Sequence, residues 1–187
     1  MVIEAKEIQL KDGRRVTVRS PKASDARALL AHMKRTSKET YFMSQYPEEI
    51  LLTEQEEEEY LEKIGRDADD FMISAFWDGE LVGNISVHRI RNLSKYRHRG
   101  GLGVSIQERA CDMGLGTALL EEALAFAERT SFEQIELGVF SDNPRALHLY
   151  EKAGFEQIGR IPRAFKLKDG TYRDEIQMVY RIHRGQE

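Results

Sequence analysis

Several features that would assign the chain to a special class of protein are scarce or missing from its sequence. Its 187 residues include one cysteine, so an intramolecular disulfide is excluded, which is typical of proteins from reducing compartments. No apolar run approaches the roughly 18 residues that a membrane-spanning helix needs, and residues 1–6 lack the apolar core of a secretory signal. We therefore expect a cytoplasmic protein with no membrane partner.

An excess of positive charge is also missing. The net charge is −4, which excludes a protein that binds nucleic acid through an overall basic charge. The content of 41% hydrophobic and 32% charged residues is typical of a soluble globular protein. No internal repeat or low-complexity linker divides the chain, so we predict a single domain over residues 1–187.

A loop that carries two glycines stands at residues 111–120, C-D-M-G-L-G-T-A-L-L, between the apolar run 102–106 and a helical pattern. It is not a P-loop, because G-x-x-x-x-G-K-[ST] is absent, and Leu119 stands where G-x-G-x-x-G needs its third glycine. A helix N-terminus offers free N–H groups, and Gly114 and Gly116 let an anion approach them. The loop is therefore either a phosphate cradle or a tight strand-to-helix turn.

A second informative stretch spans residues 141–155, S-D-N-P-R-A-L-H-L-Y-E-K-A-G-F. Asn143 followed by Pro144 predicts an N-cap and the first helical position, and Gly154 predicts the helix end. Four residues between them fall on one helical face: Ala146, Leu149, Tyr150 and Ala153.

These two stretches together resemble the GNAT N-acetyltransferase superfamily. Residues 143–155 are similar to its late motif, N-x-x-A-x-x-L-Y-x-x-x-G-F, and residues 111–116 stand where the family has its acetyl-CoA pyrophosphate loop, [QR]-x-x-G-x-[GA]. The resemblance covers roughly residues 80–182. One departure is Cys111, which replaces the Gln or Arg that helps to bind cofactor phosphate in the family.

Periodicity and turn signals predict the order strand, two helices, three antiparallel strands, helix, strand, helix, two strands. Ser24 is predicted to cap a helix that ends at about Ser37, and Thr53 is predicted to cap a second helix. The acidic run Glu54–Glu59 of the second helix is either a solvated face or a charged surface that attracts a cationic substrate. The expected fold class is α+β. A mixed, mostly antiparallel seven-stranded sheet is flanked by about four helices, with one β-α-β crossover. The resemblance implies that this crossover carries the acetyl-CoA site, and that the fourth and fifth strands splay apart at a bulge to admit the acetyl-pantetheine arm.

The resemblance implies transfer of an acetyl group from acetyl-CoA to an amine, with no metal. The loop N–H groups would hold the pyrophosphate, the preceding strand and Asn143 would hold the pantetheine arm, and the N–H of Ser105 or Ile106 would hold the oxyanion. The predicted cofactor-binding residues are Val104, Ser105, Ile106, Cys111, Asp112, Met113, Gly114, Leu115, Gly116, Thr117, Asn143 and Tyr150. Tyr150 is the candidate catalytic acid for the leaving thiolate, and its alternative role is a core tyrosine packed on the sheet.

The group that accepts the proton of the amine stays open. The strand L-G-V-S-I has no carboxylate, His88, His98 and Glu108 lie near it in sequence, and water or an acceptor of lower pKa would also serve. Cys111 as a covalent nucleophile is disfavoured because the family transfers the acetyl group directly. A helix N-terminus could still lower the pKa of its thiol.

The sequence is thus interpreted as a GNAT-like N-acetyltransferase acting on a primary amine of a small molecule, a protein N-terminus or a lysine. The acceptor pocket is expected near residues 41–46 and 163–172, whose aromatic side chains could equally belong to the core. Two alternatives are an acyl-CoA-binding regulatory module without turnover and an interaction module with no cofactor. No nucleic-acid partner is expected, and a homodimer is possible because dimers are frequent on this fold.

Overall fold

The computed structural model describes residues 2–182, which form one eight-stranded sheet and four α-helices. The strands are β1 (Lys6–Gln9), β2 (Arg15–Arg19), β3 (Phe71–Trp77), β4 (Glu80–Arg89), β5 (Arg99–Ile106), β6 (Gln134–Phe140), β7 (Glu156–Lys166) and β8 (Tyr172–Arg181). They lie in the order β1-β2-β3-β4-β5-β6-β8-β7, and among these neighbours only β5 and β6 run parallel. The α+β class and the mostly antiparallel sheet are confirmed. The predicted count of seven strands was low by one, because the lead of the first hairpin pairs as β1.

The helices are α1 (Ala26–Glu39), α2 (Glu54–Arg66), α3 (Leu115–Ala127) and α4 (Pro144–Lys152). Two of them begin where the sequence predicts. The Thr53 hydroxyl accepts a hydrogen bond from the Glu56 N–H at 3.2 Å, and the Asn143 side chain accepts one from the Ala146 N–H at 3.1 Å. Each cap satisfies an N–H group that the first helical turn leaves unpaired.

The predicted cap at Ser24 is wrong. Ser24 lies inside a short 3-10 turn, Ala23–Asp25, and Asp25 occupies the position before α1 without capping it through its side chain. The Asp25 carboxylate instead accepts two hydrogen bonds from the Arg19 guanidinium, at 2.6 and 2.9 Å. This pairing holds the pKa of Asp25 below its ordinary value, and it ties the start of the helix to β2.

Helices cover both faces of the sheet, so the central strands are buried on two sides. In β3, Phe71, Ile73 and Ala75 join the core that includes α3, whereas Met72 and Phe76 join the core that includes α1 and α2. Alternate residues of a strand point to opposite faces, which explains why β3 is apolar throughout rather than alternating.

The parallel strands β5 and β6 separate after three residue pairs, which run from Arg99–Gln134 to Gly101–Glu136. Beyond this point β5 stays paired with β4, and β6 stays paired with β8. The two strands therefore enclose a gap, as expected for the fourth and fifth strands of the predicted order. Within residues 2–182, the register shifts of the sheet fall between β3 and β4 and between β7 and β8, so the gap opens without a bulge between β4 and β5.

Candidate active site

A cavity of about 700 Å³, the cleft, fills the gap between β5 and β6. This volume lies within the range of ordinary ligand sites. Its lining includes Val104, Ile106, Cys111, Asn143, Tyr150 and Phe165. The first five are predicted site residues, so the fold brings together the strand, the loop and the late helix that the sequence analysis singled out.

The loop at residues 111–114 runs beside the cleft into α3. Gly114 precedes the helix with φ of 87°, a left-handed conformation that residues with a Cβ rarely adopt. The first helical hydrogen bond joins the Ala118 N–H to the Gly114 carbonyl at 3.0 Å. Within the described chain, the N–H groups of residues 112–117 donate no hydrogen bond to the protein. Together with the positive end of the helix dipole, they form an anion site.

Two basic side chains from distant parts of the chain lie at this loop. The aliphatic part of the Lys11 side chain packs over Gly114. A Cβ at Gly114 would lie only 3.2–3.4 Å from three carbons of that side chain. The Lys11 N–H donates to the Met113 carbonyl at 3.1 Å, which holds the β1–β2 turn against the loop. Arg145 on α4 pairs with the Asp112 carboxylate at 2.6 Å. The loop that lacks the opening Gln or Arg of the family thus has other cations beside it.

Cys111 is not an activated thiol. Burial raises the pKa of its side chain, and its Sγ donates to the Gln107 carbonyl at 3.5 Å. The expectation that a helix N-terminus lowers this pKa is wrong, because α3 begins only at Leu115 and burial outweighs the dipole. The thiol stays protonated near neutral pH, which removes the support for a covalent nucleophile.

The main-chain polar groups of β5 alternate in direction. The Gln107 N–H donates to the Val82 carbonyl at 2.9 Å, and the Arg99 carbonyl accepts from the Ile90 N–H at 3.3 Å. Both bonds are made on the side of β4. In a regular strand, N–H and C=O of one residue point to the same neighbour and those of the next residue point away. The odd-numbered residues of β5 therefore face β4.

The even-numbered residues of β5 face the gap. The His98 carbonyl, one residue before the strand, accepts from the N–H groups of Glu133 and Gln134 beside β6, which agrees with this alternation. The main-chain groups of Val104 and Ile106 consequently point into the cleft. Those of Ser105, which lies opposite Asn84, point to β4. A bound molecule in the cleft would thus meet the hydrogen-bonding groups of two of the three predicted strand residues.

Tyr150 lies in the wall of the cleft on α4 and is 7% exposed. Its ring packs on Phe155 with the centroids 5.6 Å apart. The Tyr150 hydroxyl forms no hydrogen bond within the described chain. Every fully buried polar side-chain atom of the described chain has a hydrogen-bond partner, so this hydroxyl is not fully buried and reaches the cleft. Burial raises the pKa of Tyr150 to about 12, so the phenol is protonated at neutral pH.

The segment between α1 and α2 covers the cleft together with the β7–β8 hairpin. Phe140 stacks on Phe165 with centroids 3.9 Å apart, and Phe42 meets Phe140 edge-on at 5.6 Å. The Tyr46 hydroxyl accepts from the Lys168 N–H at 3.1 Å. Phe42, Tyr46 and Phe165 were predicted to line an acceptor pocket or to be core. They join the covering segment to the hairpin, and Phe42 and Phe165 line the cleft itself, as does Phe140.

A second cavity, of about 420 Å³, lies between α1, α2 and strands β3 to β5. The two cavities share four lining residues, Met43, Ser44, Gly103 and Val104, so they meet at β5. The second cavity includes residues 43–45 of the predicted acceptor region but none of residues 163–172. It is the candidate site for a second molecule.

Buried His32 on α1 holds the Ser105 hydroxyl at the edge of the second cavity. His32 Nε2 lies 2.9 Å from Ser105 Oγ, and Gln107 Nε2 lies 3.3 Å from His32 Nδ1. The Gln107 amide is oriented by two further bonds: its Nε2 donates to the Leu81 carbonyl at 2.7 Å, and its Oε1 accepts from Arg109 at 2.9 Å. Because an amide nitrogen only donates, Nδ1 is the acceptor and Nε2 carries the imidazole proton.

This arrangement fixes the direction of the Ser105 hydroxyl. Burial lowers the pKa of His32 to about 4, so the ring is neutral at pH 7. It donates its one N–H to Ser105, whose own proton is then free to point to a ligand. His32 in this tautomer cannot take a proton from Ser105, so the pair is a hydrogen-bond donor to the cavity rather than a base.

His32 was missed by the sequence analysis, although a signal was present. It lies three residues after Leu29 and four before Thr36, so a titratable residue stands on the buried face of α1. Of the three base candidates that the sequence offered, Glu108 lines the cleft, whereas His88 and His98 line neither cavity. Distance along the chain was a poor guide here, because β4 runs away from the site at His88.

Within residues 2–182, no group of three or more His, Cys, Asp or Glu side chains is placed to hold a metal ion. No α-helix in this range has both the length and the apolar content that crossing a membrane requires.

Two solved structures that share this fold are described as acetyltransferases. A protein from Streptococcus pneumoniae described as an acetyltransferase of the GNAT family is 32% identical, with a TM-score of 0.85 over 89% of this chain and 99% of that one. A phosphinothricin acetyltransferase from Sinorhizobium meliloti, solved in complex with acetyl-CoA, shares the fold at 21% identity, with a TM-score of 0.77 over 89% of this chain and 88% of that one.

The L-amino acid N-acetyltransferase AaaT of Escherichia coli (strain K12) is 29% identical over 103 residues, which are 54% of this chain. The match spans 62% of the length of that curated relative. The model of the acetyltransferase (GNAT) family matches residues 30–155, about two thirds of the sequence. The chain therefore belongs to the GNAT acetyltransferase family.

Proposed function

We propose that the protein transfers the acetyl group of acetyl-CoA directly to a primary amine. The observation that carries the proposal is the meeting of the two cavities at Gly103 and Val104. One cavity lies beside a loop whose main-chain N–H groups are free to bind an anion, and the other opens to a separate molecule. Such a junction allows a thioester from one side to meet an amine from the other.

The residues present fit acetyl-CoA. The N–H groups of residues 112–117 are free to bind the pyrophosphate, and Lys11 brings the positive charge that Cys111 does not supply. Asn143 caps α4 through its Oδ1, which leaves its amide N–H groups available to a pantetheine carbonyl in the cleft. The main-chain groups of Val104 and Ile106 would pair with the pantetheine amides in the manner of a strand.

Acetyl-CoA supplies an activated acyl group, and the chain supplies the groups that stabilise charge. The N–H of Ile106 or Val104 faces the gap and is the proposed donor to the oxyanion. Since the main chain of Ser105 faces β4, we assign Ser105 a role through its hydroxyl, which His32 holds with its proton free. This hydroxyl is a second donor at the junction of the cavities.

Tyr150 is the proposed hydrogen-bond donor to the departing sulfur, a narrower role than the catalytic acid that the resemblance implies. Burial raises the pKa of Tyr150 to about 12, above that of an ordinary thiol, so the phenol is a weak proton donor to a thiolate. We therefore propose that Tyr150 stabilises the departing sulfur by donating a hydrogen bond as negative charge develops. The sulfur gains its proton finally from solvent or from the amine.

Calorimetry with acetyl-CoA, CoA and acetyl-pantetheine tests the cofactor assignment. We expect micromolar binding of the first two and much weaker binding of the third, because acetyl-pantetheine lacks the phosphates that the loop holds. Thiol release with a panel of primary amines then tests transfer. Equal affinity for acetyl-CoA and acetyl-pantetheine would contradict the phosphate cradle, and binding without thiol release on any amine would favour the regulatory alternative.

The cytoplasmic location and a homodimer stay predictions. The edge strand β7 offers an exposed surface on which Ile158 and Ile161 are 56% and 41% exposed, so a second copy could pair there. Sedimentation at micromolar concentration measures this directly, and a strictly monomeric protein would contradict the dimer.

A further inference from the structure

One glutamate of the acidic run in α2 differs from its neighbours. Glu57 is 3% exposed and lines the second cavity. Glu54, Glu56 and Glu58 are exposed, as expected for a solvated helix face. Most of the run is therefore a solvated helix face, and one side chain turns inward.

The Glu57 carboxylate has no partner. Within residues 2–182 it accepts no hydrogen bond and forms no ion pair, and burial alone raises its pKa. No fully buried polar side-chain atom of the described residues lacks a partner, so the unpartnered Glu57 oxygens reach the cavity. A carboxylate held in a largely buried position without a hydrogen bond or counter-charge destabilises the fold. A cationic ligand in the cavity would provide the missing partner.

Apart from Glu57, the lining combines apolar side chains that suit an apolar body with uncharged polar ones, which include Asn84, Ser86 and Ser105. Its apolar residues are Leu29, Met33, Met43, Ile50, Leu52, Met72 and Val104. Among the described residues that line the cavity, Glu57 is the one with a full charge, and none is Lys, Arg or His. The carboxylate of a ligand would find no cationic side chain there and would share the cavity with a buried anion.

We propose that the second cavity binds an acceptor with an ammonium group on an apolar body and without a carboxylate, and that Glu57 binds the ammonium. The inference rests on the proposed function, because it names the acceptor class of that reaction. It implies that free amino acids, whose carboxylate lies one carbon from the amine, are poor acceptors. In this respect the protein differs from the relative that is named for L-amino acids.

L-leucinamide and L-leucine are a matched pair of probes for this inference. They share the side chain and an α-amine that is mostly protonated at pH 7, with a pKa near 8 in the amide and a higher one beside the carboxylate of leucine, and they differ in that carboxylate. We expect calorimetry in the presence of saturating CoA to show leucinamide binding at least about tenfold more tightly than leucine. Hydrogen bonds to charged groups have strengths of this order.

Glu57→Gln keeps the shape of the side chain and removes its charge. We expect this variant to bind leucinamide about tenfold more weakly and to lose most of the preference over leucine. Glu58→Gln removes a charge from the exposed face of the same helix and should bind both probes as the parent does. If Glu57→Gln does not fold, the two probes on the parent protein still decide the acceptor class.

The outcomes separate this inference from the proposed function. Tight CoA binding with equal affinity for leucine and leucinamide, or an unchanged preference in Glu57→Gln, would overturn the acceptor class alone. Failure of CoA to bind would overturn the proposed function itself. A leucyl-alanyl-alanine amide probe distinguishes the source of the amine, because tighter binding than leucinamide would indicate a peptide N-terminus and weaker binding a small molecule.

Discussion

The two cavities that meet at β5 obtain their polar groups in different ways. The cleft relies on main-chain groups, namely the N–H groups of residues 112–117 and the gap-facing groups of Val104 and Ile106. The second cavity relies on side chains, chiefly Glu57 and the Ser105 hydroxyl that His32 orients. Main-chain groups are placed by the fold, so one geometry can persist while sequences diverge. Side chains can change one at a time, so the second cavity is where we expect the specificity of this chain to lie.

The largest predicted effect belongs to the second cavity and concerns acid. The folded-state pKa of His32, about 4, lies below its unfolded value of 6.5, so the unfolded chain binds the extra proton first. The contribution of His32 to stability is present above pH 6.5 and is lost as the pH falls toward 4, which amounts to about 3 kcal/mol.

Urea unfolding of the parent and of His32→Gln at pH 7, 5.5 and 4 measures this loss. The Gln variant should be less stable at pH 7 and should show a shallower fall in the free energy of unfolding, because the lowered pKa of His32 no longer contributes to the pH dependence. Parallel curves for the two proteins would show that His32 is protonated equally well in both states, and the neutral donor to Ser105 would lose its basis.

The second prediction concerns the cleft. Tyr150→Phe removes one hydroxyl from a side chain that is buried and packed on Phe155, so the fold and the binding of acetyl-CoA should persist. We expect kcat to fall about 100-fold, or about 2.7 kcal/mol, which is at the lower end of the range for losing one hydrogen-bond donor to charge that develops in the transition state. Stopped-flow thiol release gives kcat, and calorimetry gives Kd. A variant as fast as the parent would leave Tyr150 as a core residue.

The features of the site that could be predicted from the sequence are those set by neighbouring residues. The helix caps and the left-handed turn at Asn143, Gly114 and Gly154 belong to this group. Lys11 lies about 100 residues from the loop that it touches, and no local pattern links them. The sequence did not distinguish Glu57 from the other glutamates of α2, because the packing of the helix decides which of them turns inward.

A smaller effect on acetyl-CoA binding is expected from a pair of glycine variants. The pair distinguishes backbone strain, which both variants introduce, from the contact of a new side chain with its surroundings. Gly13 and Gly114 both have φ of 87°, but a Cβ at Gly13 would meet nothing within 4 Å, whereas one at Gly114 would press on Lys11. Each change to Ala should cost about 1 kcal/mol in the free energy of unfolding. We expect Gly114→Ala alone to weaken acetyl-CoA binding, by about fivefold. Equal affinity in both variants would show that the loop tolerates a side chain and does not closely approach the cofactor.

The smallest effect tests whether the cleft also depends on a side chain. Lys11→Ala should raise the Kd for acetyl-CoA about threefold at low salt, since an exposed charge contributes less than about 1 kcal/mol. The difference should vanish near 0.5 M salt, where the screening length is only a few ångströms. Lys95 is exposed and lies between β4 and β5, so Lys95→Ala is the control and should leave Kd unchanged. If Lys11→Ala binds as the parent does at every salt concentration, the main-chain N–H groups suffice to hold the phosphates. The Cys111 departure would then need no compensating cation, and the contrast between a main-chain cleft and a side-chain cavity would be complete.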